Sequence, residues 1–248
     1  MNAPTVYPEK IPAVYEWKTR IRTVDVGPDR LLTPTAQLQY QQEAGERHFG
    51  EGNLGFETIA QFGMAFLLLQ NNAVIYRRPT ANEDVVIKTW SHSVKGVKFF
   101  RAYRFEDTDG NTLIDSTATF VLVDVNAHTM LRPSQFPVEI AHHGDLPHSC
   151  PLPEKLKMPA ETEACGEHRV MLSQLDFNGH LNNTRYADIV FDHLPVDAAQ
   201  TMTGFSIAFV HEAKWNDTLR LSYARTENGY MMTAENGDDT CFTAQVRK

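Results

Sequence analysis

Hydrophobic and polar positions along this chain follow an order that occurs twice. Tyr15 to Val26 reads YEWKTRIRTVDV, with Tyr15, Trp17, Thr19, Ile21 and Thr23 on every second position, which is the period of a half-buried strand. After the turn GPDR, Thr33 and Pro34 supply the cap and first-turn signals of a helix over LLTPTAQLQYQQEAGERHFG. The Ala, Gln and Glu content supports that helix more than its weak apolar stripe does. The stretch GFETIAQFGMAFLLLQNNAVIYRRP predicts a short helix near Phe56 to Gln61, then extended chain through Ile75, ended by Pro79. Three strand-like runs follow, Val85 to Ser93, Val97 to Asp107 and Thr112 to Val125, and their KG and DTDG turns predict an antiparallel meander.

From Pro133 to Glu163 the chain turns rich in Pro, His and charge, as a connection between two folded units would. The first pattern then returns in degenerate form. A strand over HRVMLSQLD leads into the turn FNGH and a helix over LNNTRYADIVFDHLP, and strands are expected near Gly204 to His211, Thr218 to Thr226 and Cys241 to Val246. The expected organisation is a first unit over residues 1–140, a linker over 141–163 and a second unit over 164–248. Each unit is an α+β fold in which a helix covers the apolar face of an antiparallel sheet, and the two sheets could pair edge to edge.

Composition narrows the functional classes. A hydrophobic content of 42% over 248 residues is enough for a sizeable core. With 23 Lys and Arg against 31 Asp and Glu the formal charge is -8, which disfavours broad attraction to nucleic acid or to an anionic membrane. Cys150, Cys165 and Cys241 are few, odd in number and far apart, so neither a disulfide framework nor a cysteine-rich metal site is expected. With no run near the roughly 20 apolar residues of a membrane span and no apolar signal segment, a soluble cytoplasmic protein is expected. No Gly-x-Ser-x-Gly elbow, His-Glu-x-x-His pair, phosphate-binding loop or dinucleotide-binding glycine pattern appears, and neither a metal nor an organic cofactor is expected.

The chemistry gathers at DFNGHLNNTRY. Asp176, Asn178, His180, Asn182, Asn183 and Tyr186 fill a D-x-N-x-H-x-N-N-x-x-Y signature without a gap. Here the chain resembles the acyl-ACP thioesterases of plants and bacteria, where ACP is acyl carrier protein. The likeness extends to LQYQQEAGERH, GNLGFETIAQFGM, KGVKFFRAYRF and FVLVDVNAHTMLRP in the first half. It implies a tandem (double) hotdog fold, each hotdog a long helix wrapped by an antiparallel sheet, with the catalytic motif in the second. It also implies hydrolysis of a fatty acyl thioester on the 4'-phosphopantetheine of ACP, a reaction of fatty acid biosynthesis. Where the family often has Tyr-Pro-x-Trp-Gly-Asp, this chain reads Arg78-Pro79-Thr80-Ala81-Asn82-Glu83.

Thioester hydrolysis needs a positioned and deprotonated water, a donor for the developing oxyanion, and exclusion of bulk water. The resemblance assigns Glu212, in FVHEAKWND, as general base, for which partial burial should raise its pKa toward about 6 to 7. It gives His180 a shared acid-base or orienting role, Asn178 the holding of water, and Asp176 the orienting of the network. A helix starting near Leu181 or Asn182 would aim its free N–H groups at the carbonyl oxygen. Some plant members carry Cys directly after the glutamate; Ala213 stands there, which favours direct attack by water. Taken alone, Asp176 and Asn178 are equally the residues of a capped turn. Asn182 and Asn183 read as structural, Tyr186 as packing on the sheet or donating one hydrogen bond, and Glu43 and His48 as structural or pocket-lining.

Two further sets are expected. Phe56, Ile59, Phe62, Met64, Phe66 and Leu68 are candidates for an acyl tunnel, with the first-unit core as the alternative. Arg77, Arg78, Lys88, Lys95, Lys98, Arg101 and Arg104 are candidates for a basic face that docks the acidic carrier, although strand alternation divides them between two faces. An acyl-CoA thioesterase and a non-catalytic acyl-binding protein on the same scaffold are the rival readings, and the sequence leaves a homodimer open.

Overall fold

The computed structural model describes residues 10–248. The elements run β1 (Tyr15–Arg20), α1 (Pro34–Gly50), α2 (Phe56–Gln61), β2 (Met64–Ile75), β3 (Asp84–Lys95), β4 (Lys98–Glu106), β5 (Thr112–Asp124) and the two-residue β6 (Thr129–Met130). The second half continues β7 (Glu163–Arg169), α3 (Arg185–His193), α4 (Asp197–Gln200), β8 (Gly204–Phe209), β9 (Thr218–Thr226), β10 (Gly229–Asn236) and β11 (Asp239–Arg247). All strands join one antiparallel sheet in the order β1-β3-β4-β5-β2-β8-β11-β10-β9-β7, with β6 beside β5.

That order is a palindrome. Matching β1 to β7, β2 to β8, β3 to β9, β4 to β10 and β5 to β11 turns the second half of the list into the reverse of the first. Equivalent strands that pair antiparallel are related by a two-fold axis through the sheet, and here the axis passes near Asn72 opposite Ser206. Polar side chains fix that junction. Asn72 Oδ1 accepts from Ser206 Oγ at 2.6 Å and from Arg247 Nη2 at 3.0 Å, while Asn71 donates to Gln41 of α1 at 2.7 Å. Because every member is buried or nearly so, an arrangement that loses one bond leaves a partner unsatisfied, which selects one register.

The main core lies between the helices and the sheet and takes residues from both halves, among them Ile21, Leu38, Phe105, Ile189, Phe205 and Phe242. A second, smaller apolar cluster in the first half gathers Leu54, Ile59, Phe99, Leu122 and Phe136, with Phe49, Met64 and Phe66 packed on it. Residues 141–162 contain no strand or helix and run across the sheet face away from α1. Ser149 N–H donates to Asp115 at 2.9 Å, His143 N–H to the Ser91 carbonyl at 2.8 Å, and Gln70 to the Glu154 carbonyl at 2.7 Å. The connector therefore covers strand surface that would otherwise face water.

Several elements depart from the sequence expectation. The first strand stops at Arg20 because Asp25 is buried, with Arg22 Nε at 2.8 Å and Tyr40 Oη at 2.7 Å from its carboxylate, and a 3-10 turn over Thr23–Asp25 replaces the alternation. The strand expected over HRVMLSQLD ends at Arg169, and Leu172–Gln174 form a 3-10 turn. The second-half helix starts at Arg185, since Leu181 is still held in extended pairing with Leu175 and with the Ala213 carbonyl. Strand β10 has no counterpart among the expected strands: GYMMTAEN is buried on both sides of its first half and so lacks alternation.

Candidate active site

The motif DFNGH folds as the tip of a small hairpin. Leu175 and Leu181 face each other as an antiparallel bridge; Asp176 N–H donates to the His180 carbonyl at 2.8 Å and Gly179 N–H to the Asp176 carbonyl at 3.1 Å. Closing the turn requires φ of 80° at Gly179, a left-handed conformation that glycine adopts without a Cβ clash. One carboxylate oxygen of Asp176 accepts the N–H groups of Asn178 at 2.8 Å and His180 at 3.2 Å. Asp176 thus acts inside the turn, holding its shape. The exposed Asn178 side chain makes no hydrogen bond among the described residues.

Glu212 meets this turn through backbone pairing. Leu181 N–H donates to the Ala213 carbonyl at 2.8 Å and His180 bridges Lys214, so the segments around 180 and 213 lie side by side. His180 Nε2 is 3.2 Å from Glu212 Oε2. Below them Tyr186 is 2% exposed and stands edge-on to Phe209 and Phe242, with ring centroids 5.5 and 5.4 Å away. Of the two roles expected for it, Tyr186 packs on the sheet; its hydroxyl donates no bond among the described residues and accepts the N–H of the buried Ala213 at 3.3 Å. Burial holds the Tyr186 hydroxyl protonated well above its ordinary range. Asn182 Oδ1 accepts from Thr184 N–H at 2.9 Å and anchors the approach to α3.

Other expectations are corrected here. Glu212 is 60% exposed, so the burial foreseen for it is absent. Four residues separate His180 from α3, and Asn182 already receives the Arg185 N–H, so the helix does not directly follow the polar turn. The expected acyl stripe divides. Ile59, Met64 and Phe66 enter the smaller core cluster, while Phe62 and Leu68 are half-buried outside it. Phe56 is 46% exposed and packs edge-on against Phe177 at the tip of the DFNGH turn, with centroids 4.8 Å apart. Phe177 was not anticipated; its flank of polar motif residues gave no apolar pattern to find it by.

The basic candidates do not form one face. Arg78 is buried and paired with Asp29; Arg101 is buried, donating to His48 Nδ1 at 2.8 Å. Arg77 is engaged by Glu83 at 2.6 Å, Lys88 by Glu106 at 2.8 Å and Arg104 by Asp115 at 2.8 Å. Lys95 and Lys98, at the β3–β4 turn, are exposed and free of ion pairs among the described residues. His48 is structural: Nε2 donates to the Pro12 carbonyl at 2.7 Å, and burial, reinforced by the Arg101 charge, pushes its pKa down to about 4. Glu43 pairs with Arg47 at 2.7 Å. Among the described residues no group of three His, Cys, Asp or Glu side chains is placed to hold a metal, and no helix is long and apolar enough to cross a membrane.

Two family models match consecutive parts of the chain, the acyl-ACP thioesterase N-terminal domain over residues 12–141 and the acyl-ACP thioesterase C-terminal domain over residues 158–244. The chain belongs to the acyl-ACP thioesterase family. A curated relative, the chloroplastic acyl-[acyl-carrier-protein] hydrolase FATB1 of Cuphea viscosissima, is 21% identical over 245 residues, covering 88% of this chain. The chain spans 58% of that relative's length. Among solved structures, an acyl-ACP thioesterase from Bacteroides thetaiotaomicron is 18% identical with a TM-score of 0.85, covering 95% of this chain and 97% of its own. The 12:0-ACP thioesterase from Umbellularia californica is 19% identical with a TM-score of 0.73, again over 95% and 97% of the two chains. These likenesses establish the tandem hotdog fold.

In this family member the two-fold axis exposes a second turn of the same construction. In the first half Val26 bridges Leu32, Gly27 N–H donates to the Leu31 carbonyl at 3.0 Å, and Leu32 N–H to the Pro79 carbonyl at 2.8 Å. Arg30, at φ of 62°, occupies the place of Gly179, and Leu31, bridged to Thr80, the place of His180. Asp29 and Arg78 then occupy the places of Asn178 and Glu212, and these two form an ion pair. The first-half turn keeps the backbone and replaces the histidine-carboxylate pair with a leucine and a lock of opposite charges.

Proposed function

We propose that the protein hydrolyses the thioester of a fatty acyl group carried on the 4'-phosphopantetheine of ACP, releasing the free fatty acid and holo-ACP. The observation that carries the reading is the His180–Glu212 pair, 3.2 Å apart, at a turn whose tip residue Phe177 packs edge-on against Phe56 of α2. Glu212, together with His180, takes a proton from water as the water oxygen bonds to the thioester carbonyl carbon. The tetrahedral oxyanion then collapses, the carbon–sulfur bond breaks, and the thiolate recovers the proton to give holo-ACP. Asn178, with an uncommitted amide beside the pair, holds the water, and Asp176 positions the turn. With Ala213 beside Glu212 there is no sulfur nucleophile at that position.

The acyl chain runs past Phe56 and Phe177 toward Phe66, whose ring stands 5.1 Å from Phe99 and 5.3 Å from Phe136. Carrier docking falls to Lys95 and Lys98, which are exposed and carry no ion pair among the described residues. A reducing, cytoplasmic setting fits the three free cysteines. Both hotdogs are present in one chain, so the reading needs no homodimer. The test is hydrolysis of matched acyl-ACP and acyl-CoA panels by the intact protein and by Glu212→Gln. Turnover of acyl-ACP, lowered about 10²- to 10⁴-fold in the variant, is expected. Undiminished turnover in the variant would refute the base assignment, and preference for CoA would replace the carrier.

A further inference from the structure

At the base of the catalytic-motif hairpin, between it and α1, lies a cleft of about 290 Å³. Its walls bring Gln39, Gln42 and Glu43 from the first half against Gln174, Asn182 and Arg185 from the second. Asn182 is two residues beyond His180 on the same extended stretch, so the two share a side of the chain about 7 Å apart. The cleft thus opens at one end of the turn, and the Phe56–Phe177 pair closes the other.

The wall chemistry is that of uncharged polar groups. The side-chain amides of Gln39 and Gln42, both on α1, make no hydrogen bond among the described residues. Asn182 commits its oxygen to Thr184 and keeps its NH2 group free. The two charged side chains are already matched, Glu43 with Arg47 at 2.7 Å and Arg185 with Asp188 at 3.2 Å. A cleft whose charges cancel and whose amides are unspent suits a ligand of amides and hydroxyls, and gives little to a diphosphate.

We propose that this cleft holds the pantetheine arm of the substrate, the Gln39 and Gln42 amides hydrogen-bonding its two secondary amides. The assignment rests on the thioesterase reading, in which acyl chain, thioester and arm form one linear ligand. Aromatic pair, histidine-carboxylate pair and cleft follow one another along the turn in the order that such a ligand requires. The sequence showed no sign of it, because the wall is assembled from segments about 130 residues apart.

The experiment compares one acyl group presented as its pantetheine thioester and as its ethanethiol thioester, which has neither secondary amide. For the double variant Gln39→Ala/Gln42→Ala, kcat/KM should fall roughly 3- to 10-fold on the pantetheine thioester and stay within about twofold on the truncated one. An equal fall on both substrates, or none on the first, would overturn the assignment. Calorimetric binding of a non-hydrolysable acyl-pantetheine ketone to the same two proteins separates the two readings. Weaker binding by the variant supports the cleft even if no thioester is turned over, in which case hydrolysis is what fails. Equal binding by both proteins overturns the cleft.

Discussion

Replacing Tyr186 by phenylalanine removes one oxygen and leaves the ring. Tyr186 is 2% exposed, and the edge contacts to Phe209 and Phe242 survive the change. What is lost is the acceptor for the N–H of Ala213, a residue with no exposed surface. A buried donor left without a partner costs about 1–3 kcal/mol, and the 3.3 Å length of this bond places the loss at the lower end. For a chain of this size about 1 kcal/mol lowers Tm by roughly 2–4 °C. The effect on rate should be larger. Ala213 lies between Glu212 and Lys214, and the His180–Glu212 separation of 3.2 Å is near the outer limit of a hydrogen bond. A displacement of about 1 Å in a reacting group costs on the order of 10²-fold. We expect kcat for acyl-ACP to fall about 10- to 100-fold with KM unchanged, because Tyr186 is buried away from any substrate. Release of the carrier thiol, followed with a thiol-reactive dye, measures both constants, and calorimetric melting measures stability. A lowered Tm with unchanged kcat would show that Glu212 is not held through Ala213. A rise in KM in step with the fall in kcat would refute the positioning role.

Two other outcomes follow from buried charge and its control. His48 is neutral in the fold, with a pKa of about 4, against an unfolded value of 6.5. The unfolded chain therefore binds the extra proton first, and stability should decline as pH falls from about 6.5 to about 4 by at most roughly 3 kcal/mol, levelling below that; urea unfolding across this window should lose that slope in His48→Leu. Arg78→Ala removes one partner of the first-half ion pair and should cost about 1–3 kcal/mol in urea unfolding, while kcat per folded molecule stays unchanged. A loss of turnover with stability intact would mean that the first-half turn takes part in the reaction.

Local chemistry was legible wherever one segment carried its own signal. Thr33 and Pro34 marked the start of α1, and Thr33 Oγ1 does accept the Ala36 N–H at 3.2 Å. The short helix and the long strand through Ile75 were visible in the change from FETIAQ to MAFLLLQNNAVI. The six motif residues were likewise visible as a set, and Glu212 comes to the turn as expected. Burial misled where it removed the alternation, as at β10, or where a polar residue was buried against pattern, as at Asp25. The basic set failed for the same reason: a run of Lys and Arg along strands does not reveal which have carboxylates across the sheet, and Arg101 and Arg104 in β4 face opposite sides to different partners.

The letters alone determined the repeated order of elements, the starts of α1 and α2 and the residues of the DFNGH turn, because these depend on period, capping and backbone preference within about a dozen residues. Only the tertiary structure decided the rest. The pairing of β2 with β8 builds one two-fold sheet from the two halves. That symmetry places Asp29 and Arg78 where the second half has Asn178 and Glu212, so one turn is locked and the other is left open. The same pairing brings Phe56 to Phe177 and sets Gln39 and Asn182 around one cleft, neighbourhoods that depend on distance through space and leave no periodic trace along the chain.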